Sequence, residues 1–260
     1  MKLETIKRQC RTPRKGSIVF VHGGFHDAWC WVNYLEYFAN AGFDCYAISL
    51  RGHGKSEGHE YLNKWGLSDY LIDVMQVIET VPEKPIFVGH SMGAAIGQKL
   101  IGEHEERLKA SVLLAPAVVG GLSWRWKLRL IVSSFWQTLA FAKAVRKGVF
   151  GRDQIKNSLF INSRLSEEEV DWITPHIQAE SKQAQADLTR PYTPYYGKRT
   201  IPILVIGSQS DLLFNTDDLI RLASAYQLNP VIMEDMCHNM MLDPQWEKGA
   251  DAILEFLEEL

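Results

Sequence analysis

The amino-acid sequence predicts an α/β fold: a mostly parallel central sheet with helices on both faces, and a helical cap inserted late in the sheet. Three observations lead there. Apolar runs of strand length alternate with helix-length stretches through most of the chain. Those runs are continuously apolar, as strands buried on both faces must be. Between about residues 120 and 190 the strand signal stops, and only helical segments separated by turn residues remain.

The elements follow in order. Ser17-Ile18-Val19-Phe20-Val21 reads as the first strand, with a helical stretch near Trp29 to Asn40 and a second strand at Asp44-Cys45-Tyr46-Ala47-Ile48. Leu67 to Thr80 has Leu71, Val74, Met75 and Ile78 on one helical face. Ile86 to Val88 is a short apolar strand, a helix begins after Ser91, and Ala110-Ser111-Val112-Leu113-Leu114 is the next strand. After the helical insertion the sheet resumes at Ile203-Leu204-Val205-Ile206-Gly207 and Pro230-Val231-Ile232-Met233, with helices near Thr216–Tyr226 and Gln245–Leu260. The expected division is therefore a core of residues 1–119 and 191–260 and a cap of residues 120–190.

Composition narrows the function. A chain of 260 residues with 46% apolar content can bury a substantial core, and a net charge of −3 argues against nucleic acid as a general partner. No apolar run reaches the roughly 18 residues of a membrane span, and the first residues, Met1-Lys2-Leu3-Glu4, lack a signal-peptide core. Cys10, Cys30, Cys45 and Cys237 are scattered without a C-x-x-C pair, as expected for reduced thiols of a cytoplasmic protein rather than a disulfide framework or zinc site.

The most informative feature is Gly89-His90-Ser91-Met92-Gly93, between an apolar strand and a helix. A serine on so sharp a strand-to-helix corner is strained and projects its hydroxyl at the sheet's carboxyl edge, and the flanking glycines let helix and strand approach. The bland alternative is a glycine-rich loop with an inert Ser91. A serine nucleophile needs a general base and an orienting acid. Of the eight histidines, His238 follows the last strand, at the edge where Ser91 emerges. Asp211 follows the strand ending at Gly207, at the same edge. Asp217 and Asp218 open the next helix, where they suit capping, and Asp235 is a rival acid on the loop of His238. Cys237, beside His238, raises a Cys–His alternative.

Ser91, Asp211 and His238, in that chain order on this alternation of strands and helices, resemble the α/β-hydrolase family. His22-Gly23-Gly24 resembles its oxyanion loop, and Arg51-Gly52-His53-Gly54-Lys55-Ser56 its loop after the following strand. The stretch from His22 to Trp31 is similar to the branch holding small-molecule esterases and hydroxynitrile lyases. With only sixteen residues before the first strand signal, the family's opening hairpin is expected to be reduced.

The resemblance implies a serine hydrolase cleaving a carboxylic ester or lactone through an acyl-enzyme, without metal or cofactor. Ser91 is the expected nucleophile, His238 the base and Asp211 the orienting acid, with the oxyanion held by the backbone N–H groups of Gly24 and Met92. Phe25, His26 and Trp29 are expected to border the pocket. Residues 121–150 hold six large aromatics, among them Trp124, Trp126 and Trp136, and six basic residues without an Asp or Glu. This points to an apolar acyl pocket roofed by those tryptophans, to cap helices with a solvated basic side, or to weak contact with an anionic membrane surface. Acyl-homoserine-lactone or monoacylglycerol hydrolysis, a hydroxynitrile-lyase-like reaction, and a non-catalytic small-molecule receptor are the alternatives on the same fold.

Overall fold

A computed structural model describes residues 1–11, 13–117, 151–156, 160, 165–189, 199–211 and 213–260. The expected cap boundaries at residues 120 and 190, the basic aromatic stretch, and Trp124, Trp126 and Trp136 lie outside the described residues.

Among the described residues seven strands form one sheet: β1 (Thr5–Arg8), β2 (Gly16–Val21), β3 (Phe43–Ile48), β4 (Ile86–His90), β5 (Ala110–Leu114), β6 (Ile203–Ser208) and β7 (Val231–Met233), in the spatial order β1-β3-β2-β4-β5-β6-β7. β1 runs antiparallel to β3, with Thr5 opposite Ile48, and every other neighbouring pair is parallel. The sheet is an α/β arrangement, as the continuously apolar strands predict: β4, β5 and β6 are buried at every position.

Alternate residues of each strand feed opposite layers. Ile18 and Phe20 of β2 join a cluster with Trp31, Tyr34 and Phe38, next to helices α1 (Val32–Asn40) and, near the C-terminus, Trp246–Glu258. Val19 and Val21 point the other way, against α2 (Leu67–Ile78) and α3 (Met92–His104). The described part of the stretch between β5 and β6 is helical: α4 (Arg152–Lys156), α5 (Glu167–Ile173) and α6 (Lys182–Thr189). Ser166 starts α5 with a capping box, accepting from the Glu169 N–H while the Glu169 carboxylate accepts from its own. Ile155, Val170 and Ile173 reach the same apolar cluster as Trp31, whereas Ala184 of α6 belongs to the opposite one. Helices α7 (Thr216–Ala225) and α8 (Trp246–Glu258) complete the layers. Asn215 caps α7, accepting from the Asp218 N–H at 2.8 Å, so the side chain ahead of the two aspartates does the capping.

β1 has no counterpart among the strands legible in the sequence. It contains one large apolar residue, Ile6, and half of it is exposed, so it lacks the apolar run that marks the inner strands. It is a four-residue edge strand paired antiparallel to β3. Among the described residues no helix is long and apolar enough to cross a membrane.

Candidate active site

Ser91 stands between β4 and α3 with φ 51° and ψ −111°, a left-handed backbone that a residue with a side chain adopts only under constraint. The constraint is visible. Its N–H donates to the Leu114 carbonyl at 3.0 Å, and its carbonyl accepts from Ala117 and Ala95, both at 3.1 Å. The corner is too tight for larger neighbours: a Cβ on Gly93 would lie 2.3 Å from the Val21 oxygen, and one on Gly89 would lie 2.5 Å from the Gly93 oxygen. Gly93→Ala should therefore destabilise the fold by about 3 kcal/mol, the upper end of ordinary overpacking, because main-chain atoms are in the way. Calorimetry should show a Tm loss of roughly 6–12 °C in a chain of this size; an unchanged Tm would contradict this account of the turn.

His238 and Asp211 meet at the same edge of the sheet. The His238 Nδ1–H donates to Asp211 Oδ2 at 2.7 Å, and both side chains are buried. The other Asp211 oxygen accepts the N–H groups of Leu213 (2.7 Å) and Phe214 (3.2 Å), which hold the carboxylate towards the imidazole. A carboxylate only accepts, so the proton sits on Nδ1 and Nε2 keeps its lone pair. His90, the residue before Ser91, donates from Nε2 to the His238 carbonyl at 3.0 Å, and the two rings lie 4.9 Å apart. Asp235, the rival acid, is exposed.

The loop after β2 closes on the serine. A Cβ on Gly23 would fall 2.6 Å from His90 Nδ1 and 3.0 Å from Ser91 Cβ, so only glycine lets the loop come this near. Among the described residues, neither the Gly24 N–H nor the Met92 N–H has a hydrogen-bond partner. Met92 opens α3, where the helix dipole favours negative charge.

Residues 12–245 match the family model described as "Serine aminopeptidase, S33". The chain belongs to this family of α/β-hydrolases. Methylesterase 10 of Arabidopsis thaliana is 38% identical over 87 residues, 33% of this chain and 31% of that protein. The chain spans about a quarter to two fifths of the length of the curated relatives it matches. Among solved structures, the monoacylglycerol lipase of Paleococcus ferrophilus superposes with a TM-score of 0.73 at 22% identity, covering 99% of this chain and 98% of that one. A thermophilic esterase from Thermogutta terrifontis gives 0.74 at 19%, covering 99% and 93%. At these identities the two structures speak for the fold.

Within this α/β-hydrolase the remaining histidines near the site divide by charge. Burial pushes His22 and His90 well below the ordinary imidazole range. It lowers His26 to about 4. Each is a neutral ring. His26 donates from Nδ1 to the Gly24 carbonyl at 2.7 Å, stacks on Trp29 at 5.6 Å, and has no partner for Nε2 among the described residues. Trp29 is half-buried and meets Trp172 and His176 at 5.4 and 4.9 Å. Phe25, at φ 69°, is half-buried and packs on the main apolar cluster.

His53 differs. Its Nδ1 faces the Arg51 carbonyl at 3.1 Å and its Nε2 faces Glu180 Oε2 at 3.2 Å. Burial alone would lower its pKa, but the Glu180 carboxylate outweighs that and raises it, which favours the protonated ring. Cys237 is buried and its thiol is pushed well above the ordinary range by that burial, which leaves no thiolate for a Cys–His nucleophile. No group of three or more His, Cys, Asp or Glu among the described residues is arranged to hold a metal ion.

Three residues around the site escape sequence reading: Gln178, Glu180 and Tyr70, which surround the Gly23–Phe25 loop and His53. The nearest sequence signal was the Arg51–Ser56 loop motif, which marks His53 but not its partner.

Proposed function

We propose that this chain is a serine hydrolase that cleaves a carboxylic ester or lactone with an apolar acyl part of small to medium size. The observation that carries it is a strained, partly exposed Ser91 at the carboxyl edge of the sheet, with a buried His238 at the same edge whose Nδ1–H is fixed by Asp211. The family match, together with relatives and fold neighbours named as methylesterase, esterase and lipase, supports ester chemistry.

Ser91 Oγ attacks the substrate carbonyl carbon as His238 Nε2 takes its proton, and Asp211 stabilises the imidazolium that results. The carbonyl oxygen, now an oxyanion, is held by the Gly24 and Met92 N–H groups, which have no other partner among the described residues. When the tetrahedral adduct collapses, His238 gives the proton to the departing alkoxide and an acyl-Ser91 ester remains. Water then attacks that ester with His238 as base again, releasing the acid and restoring Ser91. A lactone follows the same course, its alcohol remaining part of the released hydroxy acid.

Phe25, His26 and Trp29 border the acyl site in this reading, and Trp124, Trp126 and Trp136 of the 120–190 cap roof it. Each CH₂ added to the acyl chain should contribute up to ~0.8 kcal/mol, about fourfold in kcat/KM, until the pocket is full. Activity on p-nitrophenyl esters should therefore climb from acetyl to medium chains, and the cap tryptophans that line the site should flatten the climb when changed to Ala. Acetyl as the best substrate, with no tryptophan mattering, would refute the acyl-pocket part of the reading. Tight small-molecule binding without turnover on any ester or lactone would refute the hydrolase itself in favour of a receptor.

A further inference from the structure

The segment Gln178–Ser181 enters the core beside the loop after β2 and holds the main chain of Phe25 from both sides. The Gln178 N–H donates to the Phe25 carbonyl at 2.9 Å, and the Phe25 N–H donates to Glu180 Oε2 at 3.3 Å. Between these two bonds Phe25 keeps its left-handed φ of 69°. The Glu180 carboxylate lies directly against Gly24: a Cβ there would be 3.5 Å from Oε2. Glu180 is itself fixed. Its Oε1 accepts from the Tyr70 hydroxyl at 3.1 Å and from the Ser181 N–H at 2.6 Å, and its Oε2 faces His53 Nε2 at 3.2 Å.

A carboxylate that is 5% exposed is a poor stabiliser, since removing charge from water offsets most of what its partners return. Its placement suits a different task. We infer that Glu180 is a positioning residue for the reaction: by holding Phe25 in its left-handed conformation it keeps the Gly24 N–H aimed at the substrate's developing oxyanion, an inference that rests on the ester-hydrolase reading above. His53 and Tyr70 hold the carboxylate, the carboxylate holds Phe25, and Phe25 sets Gly24. Gln178 secures the same loop on its far side, donating from Nε2 to Asp27 Oδ2 at 2.8 Å and to the His26 carbonyl at 3.3 Å.

An oxyanion donor acts in the transition state more than in the ground state, and that separates positioning from mere support. The test is steady-state hydrolysis of a p-nitrophenyl ester by the full chain, together with inhibition by an alkyl boronic acid, whose boron adds the Ser91 oxygen to give a tetrahedral anion. Glu180→Ala should lower kcat by about 10- to 100-fold, as small displacements of catalytic groups do, with KM within about twofold of wild type. The boronate Ki should rise in step with the loss in kcat/KM. Glu180→Gln keeps an oxygen for the Phe25 N–H but sets an amide –NH₂ against the donors of Ser181 and Tyr70. A smaller loss of the same kind is expected, and this variant carries the test should the alanine variant fail to fold.

A change in KM alone, or kcat and Ki within twofold of wild type in the folded variants, would overturn the inference. Ser91→Ala is run alongside. If it still hydrolyses the ester, the proposed Ser91 mechanism fails; if it is inert while Glu180→Gln matches wild type, only the role of Glu180 falls.

Discussion

Ser91→Ala should reduce ester hydrolysis by about 10⁶-fold in kcat, the order of loss that subtilisin shows without its nucleophile. The size of the effect follows from the site's division of labour. In the proposed mechanism no acyl-enzyme forms without Oγ, and the residual rate would come from water attacking a carbonyl that the Gly24 and Met92 N–H groups still polarise. Ser91 is only partly buried, on a corner whose main-chain bonds run through its own N–H and carbonyl rather than its side chain, so the substitution leaves the turn in place. A fluorophosphonate should label the wild-type protein at Ser91 and leave the variant unlabelled by intact-mass measurement. Labelling at any other serine would remove the central assignment.

The second large effect concerns the acid. Asp211→Asn should lower kcat by about 10³- to 10⁴-fold. An asparagine that kept the two backbone N–H bonds from Leu213 and Phe214 through its oxygen would turn its –NH₂ towards His238 Nδ1. That nitrogen would then have to accept, the proton would move to Nε2, and the base would face Ser91 in the wrong tautomer. Asp235→Asn should cost less than about threefold, since the Asp235 side chain is exposed and its main-chain oxygen, which the substitution leaves alone, takes the bond from Gln245. Steady-state kinetics on the two variants decide the matter: a larger loss in Asp235→Asn would transfer the acid to the loop of His238.

Why some of this could be read from the chain and some could not is a matter of range. The inner strands announce themselves because burial on both faces demands an unbroken apolar run, as in Ile203–Ser208. The Ser91 turn is legible because its glycines and serine stand together in Gly89–Gly93, although some of the atoms that crowd it come from Val21 and His22, far away in sequence. β1 was hidden because an exposed edge strand needs no such run. Glu180 was hidden more deeply. It lies in Gln178-Ala179-Glu180-Ser181, a polar stretch that reads as solvent-facing, and its partner His53 is 127 residues away in sequence. Nothing local distinguishes a buried glutamate from an exposed one when the groups that accommodate it arrive from another part of the chain.

The order of the sheet has a consequence for the protein's synthesis and refolding. The serine turn is built from β2, β4 and β5, all within the first 117 residues, and its strain is held there by the Leu114 and Ala117 contacts. Asp211 and His238 stand in the loops after β6 and β7, strands that join one side of the sheet after a long excursion of the chain. Such distant parallel pairings are the slow part of a folding reaction. A growing or refolding chain can therefore complete the Ser91 corner before Asp211 and His238 have a sheet edge to stand on. If Ser91 and His238 act together as proposed, turnover in a refolding experiment should appear with the docking of the last strands rather than with the collapse of the core.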